Sequence, residues 1–164
     1  MLKRANATLC LAAIILIGSA GVILGANFKK GLDAARNGNF EIALREWTPL
    51  AEEGDATAQI NLGVMYEDGK GVSTNYKTAL KWYKRAAQQG DYRGQVNLGL
   101  MYAKGKGVSP DNISAYMWLY IAALTGDRDA VSNRDIVAKT MSSDDILSTQ
   151  ALAHRCITSK YKRC

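Results

Sequence analysis

The apolar residues between positions 56 and 67 recur at the spacing of an α-helix. One face of this segment is apolar because its hydrophobic side chains lie three or four residues apart or side by side along that face: Ala58, Leu62, Met65 and Tyr66. Gly69 and Gly71 come next, and glycine accepts the positive φ that ends a helix. A second helix is predicted over residues 76–89, with Asn75 in position to cap it. The pattern therefore predicts two helices joined by a turn.

The same pattern returns 36 residues later, where Gly90-Asp91 takes the place of Gly54-Asp55. Residues 59–66 reappear as residues 95–102 with few changes, and the glycines at 69 and 71 reappear at 105 and 107. A period of this length is typical of helical repeats that stack into an array.

Weaker copies flank these two blocks. Residues 40–47 align with residues 76–83, so a helix over 40–53 is predicted, with residues 27–36 as its partner. Gly126-Asp127 opens a later block in which helices are predicted over 128–139 and 143–156, although the interior glycines are gone. Terminal repeats of an array are atypical because one of their faces meets water.

The predicted fold is all-α, an α/α superhelix or solenoid of about four antiparallel helix pairs. The repeat domain covers residues 27–156. Its predicted units are 27–53, 54–89, 90–125 and 126–156, preceded by residues 1–26 and followed by a basic tail, 157–164.

Two glycines lie inside predicted helices, where glycine is less stable than alanine by about 1 kcal/mol. We expect Gly63 and Gly99 to allow close approach of the paired helices at Ala79 and Ala115. The repeated aromatic residues are expected to fill the core beside them instead of forming a binding platform: Tyr66, Trp82, Tyr102 and Trp118.

The N-terminal segment has the composition of an export signal. An apolar run over residues 9–24 follows Lys3 and Arg4 and ends in small residues. One interpretation is a signal peptide cleaved after Ala20 or Ala26, and the other is a retained membrane anchor. Both place the repeat domain outside the cytoplasm, as an exported, periplasmic or secreted protein.

The cysteines agree with export. Cys10 lies in the export segment, which leaves Cys156 and Cys164 as an even pair and a disulfide candidate. Such a bond would stabilise the fold by roughly 2 to 3 kcal/mol in the chain-entropy model. Two free thiols are the alternative. No metal site is predicted, because two thiols and the single His154 supply too few ligands.

Charge and motifs exclude several function classes. The net charge of +6 is spread among acidic residues, without the dense basic stripe of a nucleic-acid-binding protein. The tail at residues 160–163 could contact an anionic lipid or cell-wall polymer, or remain solvated. With one histidine and no phosphate-binding loop, no catalytic residue and no cofactor is predicted.

The run Asn61-Leu62-Gly63-x-x-Tyr66-x-x-Gly69-x-Gly71-Val72, followed by Ala79, Trp82-Tyr83 and Ala86-Ala87, resembles the Sel1-like repeat, a relative of the tetratricopeptide repeat. Asn75 stands where that family usually has Asp. The resemblance implies a right-handed superhelix whose concave side, lined mainly by first helices, holds peptides or proteins. It also implies an adaptor role, and exported bacterial members are associated with envelope or secretion machinery, signalling and host interaction.

On the geometry implied by this resemblance, side chains beside the motif positions on the first helices face the groove. The candidate partner-binding residues are Thr57, Asn61, Val64, Glu67, Arg93, Asn97, Leu100 and Lys104. Asn61 and Asn97 can donate and accept hydrogen bonds at once, and Arg93 can pair with a carboxylate. The alternative for both asparagines is a hydrogen bond to a neighbouring repeat.

The sequence thus predicts a non-enzymatic adaptor of the cell envelope that binds a protein or peptide. The alternative is a secreted or periplasmic binder of a cell-wall polymer or host ligand. A third interpretation is that a retained N-terminal helix lets the protein stabilise a membrane complex. Nucleic acid is not expected as a partner, and the membrane only through residues 1–26 if they are uncleaved.

Overall fold

The computed structural model of the chain describes residues 27–162 and 164, and the regular structure in these residues is helical. Helix α1 includes residues 27–36. The helices that follow are α2 (Phe40–Glu53), α3 (Ala56–Asp68), α4 (Tyr76–Ala87), α5 (Tyr92–Lys104), α6 (Asn112–Ala123), α7 (Arg128–Ala138) and α8 (Ser143–Thr158). The all-α repeat fold is confirmed. The predicted export segment, with Cys10 and both cleavage sites, lies outside the described residues.

Consecutive helices pack against each other from α2 to α7. We call α1, α3, α5 and α7 the first helices of the four pairs, and α2, α4, α6 and α8 the second helices. The first helices α3, α5 and α7 also lie side by side. The last pair is arranged differently, because α8 packs mainly on α6. Among the described residues, no helix is long and apolar enough to span a membrane.

Polar side chains cap the N-termini of six of the helices. Each capping side chain accepts a hydrogen bond from a backbone amide in the first helical turn, and these residues are Asp55, Asn75, Asp91, Asp111, Asp127 and Ser142. Helices α4 and α8 end at residues other than those predicted. Helix α4 stops at Ala87, ahead of Gly90, whose φ is 86°. Helix α8 continues past Cys156 to Thr158, because the chain turns only at Lys160 and Tyr161, where φ is positive.

A buried glutamine ties each central repeat to the repeat before it. Gln59 on α3 donates from Nε2 to the Ala51 carbonyl near the end of α2, at 2.9 Å. Gln95 on α5 makes the same contact with the Ala87 carbonyl near the end of α4, at 3.4 Å. Each carbonyl also accepts from a backbone amide of the following turn, that of Gly54 or Gly90. The glutamines therefore add a second hydrogen bond at each helix end, in a place that water does not reach.

The interior glycines allow close helix approach, but the opposing side chain differs from the prediction. A Cβ atom on Gly63 would overlap the Tyr83 ring, and one on Gly99 would lie 2.7 Å from Leu119 Cγ. Tyr83 and Leu119 follow the predicted Ala79 and Ala115 by one helical turn. Ala115 also takes part in the close approach to Gly99, because its carbonyl oxygen would lie 3.1 Å from a Cβ atom added to that glycine.

The repeated aromatic residues belong to the core, as predicted. Trp82 and Trp118 are buried. Tyr66 and Tyr102 are half-buried and pack against the buried clusters.

The loops that follow α3 and α5, which contain Gly71 and Gly107, pack on the preceding repeat. A Cβ on Gly107, whose φ is 76°, would lie 2.5 Å from the Tyr76 carbonyl oxygen and 2.8 Å from the Lys77 nitrogen at the start of α4. Gly71, one repeat earlier, approaches the backbone of Phe40 and Glu41 at the start of α2 in the same way. Backbone atoms cannot move aside as a flexible side chain can, so only glycine fits these two places.

The predicted disulfide between Cys156 and Cys164 is formed, with the two Cα atoms 5.0 Å apart. It folds the tail back onto the second and third repeats. The Tyr161 ring packs beside Gly90, where an added Cβ would lie 3.1 Å from the ring. The tail is therefore part of the folded structure.

Replacing Gly107 by Ala should lower the free energy of unfolding by about 3 kcal/mol or more, because a positive φ costs about 1 to 2 kcal/mol and the overlap with backbone adds to it. Gly126 is the matched control, since its φ is also positive but nothing lies within 4 Å of an added Cβ. Gly126→Ala should lower the free energy of unfolding only by the cost of the positive φ. Equal losses in urea unfolding of the two variants would contradict the docking of the loop.

Candidate functional site

The candidate site lies on the solvent side of α3 and α5, which we call the first-helix face. Thr57 and Asn61 are four residues apart on α3, and Arg93 and Asn97 are four residues apart on α5, so each pair shares one side of its helix. The two pairs meet where Arg93 Nη2 donates to Thr57 Oγ1 at 3.2 Å. These four residues form one polar patch that spans two repeats.

Asn61 and Asn97 occupy equivalent positions in neighbouring repeats, and both are half-buried. Neither side chain forms a hydrogen bond with any other residue of the part that the structure describes. The alternative that each asparagine bonds a neighbouring repeat is therefore not observed within residues 27–162 and 164. The two amide groups therefore remain able to donate hydrogen bonds to another molecule and to accept hydrogen bonds from it.

Arg93 is held in place by its own helix cap. Its Nε donates to Asp91 Oδ1 at 3.1 Å and its Nη2 donates to Asp91 Oδ2 at 2.7 Å. The hydrogen bonds to Asp91 raise the pKa of Arg93. Burial disfavours the charged form of Asp91, but the hydrogen bonds and positive charge of Arg93, together with the Gly94 amide, outweigh it, so the pKa of Asp91 is lowered. The guanidinium is thus a fixed positive group between the two repeats.

Glu67 is placed differently from the other predicted residues. Its Oε2 accepts from the Tyr83 hydroxyl at 2.9 Å, and its Oε1 accepts from Lys106 Nζ at 2.8 Å. Burial, and then the negative charge of Glu67, raise the pKa of Tyr83 far above its usual range. The hydrogen bond to Glu67 likewise raises the pKa of Lys106. Both carboxylate oxygens therefore serve contacts within the array.

The other predicted residues continue along the same two helices. Val64 packs partly against the core, and Leu100 is half-buried. Lys104 is exposed and pairs with no acidic group among the described residues. The structure thus brings together Thr57, Asn61, Arg93 and Asn97 at the centre, with Leu100 and Lys104 further along α5.

Two features escaped the sequence reasoning. The contact between Thr57 and Arg93 joins residues 36 positions apart, so the repeat period was a signal that could have revealed it. A cleft between α6 and α8 has no such signal, because its walls come from unrelated parts of the last units and from the tail.

The family model described as Sel1 repeat matches residues 56–91 and 93–127. A solved structure described as a Sel1 repeat protein from Oxalobacter formigenes is 31% identical, with a TM-score of 0.64, and the match covers 76% of this chain and 97% of that one. The chain belongs to the Sel1 repeat family.

A second similar structure is c5321, described as a protective antigen present in uropathogenic Escherichia coli strains that displays an SLR fold. It is 27% identical, with a TM-score of 0.77 over 85% of this Sel1 repeat chain. The chain spans only about a third of that protein, since the match covers 32% of it. No curated protein sequence matches significantly.

The Sel1 repeat fold commonly mediates protein–protein interaction, and proteins built from it are generally non-catalytic scaffolds. In the described part of the chain, no group of three or more His, Cys, Asp or Glu side chains is arranged to hold a metal ion. His154 is exposed and meets the Tyr120 ring edge-on, with 6.0 Å between the ring centroids.

Replacing both Asn61 and Asn97 by Ala should change the free energy of unfolding by no more than about 0.5 kcal/mol, because no observed hydrogen bond is lost and Ala favours the helix. Gln95→Ala is the matched control within the same helix. It removes a buried donor and should lower stability by about 1 to 3 kcal/mol. Urea unfolding would contradict this account if the double Asn variant lost as much stability as the Gln95 variant.

Proposed function

We propose that this protein is a non-enzymatic adaptor of the cell envelope that binds an extended peptide segment of a partner protein on the first-helix face. Asn61, Arg93 and Asn97 are the residues proposed to make the central contacts. The observation that carries the proposal is the pair of half-buried amide groups, at equivalent positions of two repeats, with no hydrogen-bond partner among the described residues.

The chemistry of these side chains suits a peptide backbone. An extended backbone offers N–H and C=O groups in alternation, and a side-chain amide can bond to both kinds. Half-buried polar groups gain more from such bonds than exposed ones, because fewer water molecules compete for them. Two amides at the same position of adjacent repeats would therefore hold one segment at two points along its length.

Arg93 adds a preference for a negative group. Its Nε and Nη2 atoms are used by Asp91 and Thr57, while Nη1 has no partner among the described residues. A guanidinium already fixed by two neighbours loses little conformational freedom on binding. Nη1 is thus a preorganised donor for a carbonyl or carboxylate of the partner, and Leu100 and Lys104 extend the surface beside it.

The envelope assignment rests on the tail and on the export segment. The pairing of Cys156 with Cys164 is compatible with an oxidising location outside the cytoplasm. The apolar run over residues 9–24 supports export, by cleavage or by retention as an anchor.

The proposal is tested by photo-crosslinking in the cells that make the protein. A photoreactive phenylalanine analogue replaces Lys104 on α5 or, as the control, Lys81, an equally charged and exposed residue of the second helix α4. The Lys104 position should yield adducts with discrete proteins, and the Lys81 position should not. Adducts at Lys104 should fall at least about tenfold when Asn61 and Asn97 are both Ala.

Three results would contradict the proposal. The first is the same adducts from both positions, and the second is adducts at Lys104 that the Asn61 and Asn97 substitutions leave unchanged. The third is an adduct at Lys104 that disappears only after cell-wall hydrolase treatment, which would identify a polymer as the ligand.

A further inference from the structure

A second concave site lies among the second helices, away from the first-helix face. It is a cleft of about 740 Å³ between α6 and α8. Met117 forms a buried part of its wall, while Ile113 and Leu152 at its edges remain 37% and 39% exposed. Apolar side chains of this size, left this accessible in a concave place, are typical of surfaces that receive a ligand.

The charged side chains that line this cleft are basic. Arg155 reaches it from the last turn of α8, and Lys162 reaches it from the tail. Neither side chain forms an ion pair with a described residue, and no Asp or Glu lines the cleft. Two cationic side chains beside an apolar floor, with no acidic side chain in the lining, leave positive charge unmatched, so the complementary ligand is anionic and apolar at once.

The cleft depends on the disulfide. Cys164 and Lys162 line it, and both belong to the tail that the bond with Cys156 holds against α8. The Tyr161 ring anchors the same tail beside Gly90, at the turn between α4 and α5. Without the bond, Cys164 would no longer be held in the wall, and Lys162 would be held only through the neighbouring Tyr161 and the backbone turn that follows α8.

We propose that this cleft is a second binding site, which takes a peptide segment with an acidic residue next to a bulky apolar one, and that it is complete only when Cys156 and Cys164 are joined. The apolar side chain would lie against Ile113, Met117 and Leu152. The carboxylate would pair with Arg155 and Lys162. The site goes beyond the function proposed above, because it uses other helices and other residues.

A peptide fits better than an acyl lipid. Sites for small apolar ligands bury most of the ligand surface, whereas this cleft is open and has only three large apolar side chains on its walls. That is enough to cover one or two apolar side chains of a peptide, but it leaves most of a long acyl chain in water.

The test begins with a random displayed peptide library, selected against the full chain with its disulfide intact. We expect the enriched peptides to share an acidic residue beside Leu, Ile, Met or Phe. The affinity of a fluorescein-labelled enriched peptide is then measured by fluorescence polarisation. Arg155→Glu and Leu152→Ser should each weaken it at least about tenfold, which corresponds to about 1.4 kcal/mol.

Matched controls separate binding in this cleft from a general effect of surface charge or of exposed leucine. Lys84→Glu makes the same charge change in the last turn of α4, and Leu147→Ser removes an exposed leucine of α8 that does not line the cleft. Both controls, and the Asn61→Ala, Asn97→Ala double variant, should change affinity less than about twofold. Cys164→Ser should weaken binding at least as much as Arg155→Glu while far-UV circular dichroism shows the helices retained.

Several results would overturn the proposal. The first is a set of enriched peptides without acidic residues, and the second is binding that Arg155→Glu leaves unchanged. The third is binding lost only in the Asn61 and Asn97 double variant, because that result would place the peptide on the first-helix face. Binding to phosphatidylglycerol vesicles that Arg155→Glu abolishes, without any peptide enrichment, would identify an anionic lipid instead. Failure at this cleft leaves the crosslinking result at Lys104 unaffected, so the two proposals fail separately.

Discussion

The stacking of the first three repeats depends on backbone contacts that only glycine permits. Gly71 and Gly107 bring their loops against the first residues of α2 and α4, at distances that a Cβ would not allow. The buried Gln59 and Gln95 then tie the first helices to carbonyls at the ends of the same two helices. Both α2 and α4 are thus held by the next repeat at both of their ends, which fixes the register in which the first three repeats stack.

A fixed register has a direct consequence for the surface. Residues 36 positions apart lie side by side, as the Thr57–Arg93 contact shows. Stacking uses the glutamines, Glu67 and the aromatic core, whereas Asn61 and Asn97 make no hydrogen bond in the described part of the chain. Polar groups that the fold positions but does not bond are available to a partner, which is why we place binding there.

Much of this fold follows from local chemistry, and so could be predicted. Helical periodicity, the caps at Asn75 and Asp111 and the even pair of cysteines act within a few residues of chain. The bonds of Glu67 to Tyr83 and Lys106 could not be found this way, because they depend on how one repeat sits on another. The same holds for Tyr83 opposite Gly63, and for the cleft that the folded tail completes.

The central claim is that stacking uses the first-helix glutamines and leaves the first-helix asparagines for a partner. Side-chain amide signals in nuclear magnetic resonance test it most directly. In the free protein, the amide protons of Gln59 and Gln95 should exchange slowly with water and those of Asn61 and Asn97 quickly. When the partner captured through the Lys104 position is added, the asparagine signals should shift and slow, while the glutamine signals stay unchanged. Asparagine amides already protected in the free protein, or unmoved by the partner, would contradict the claim.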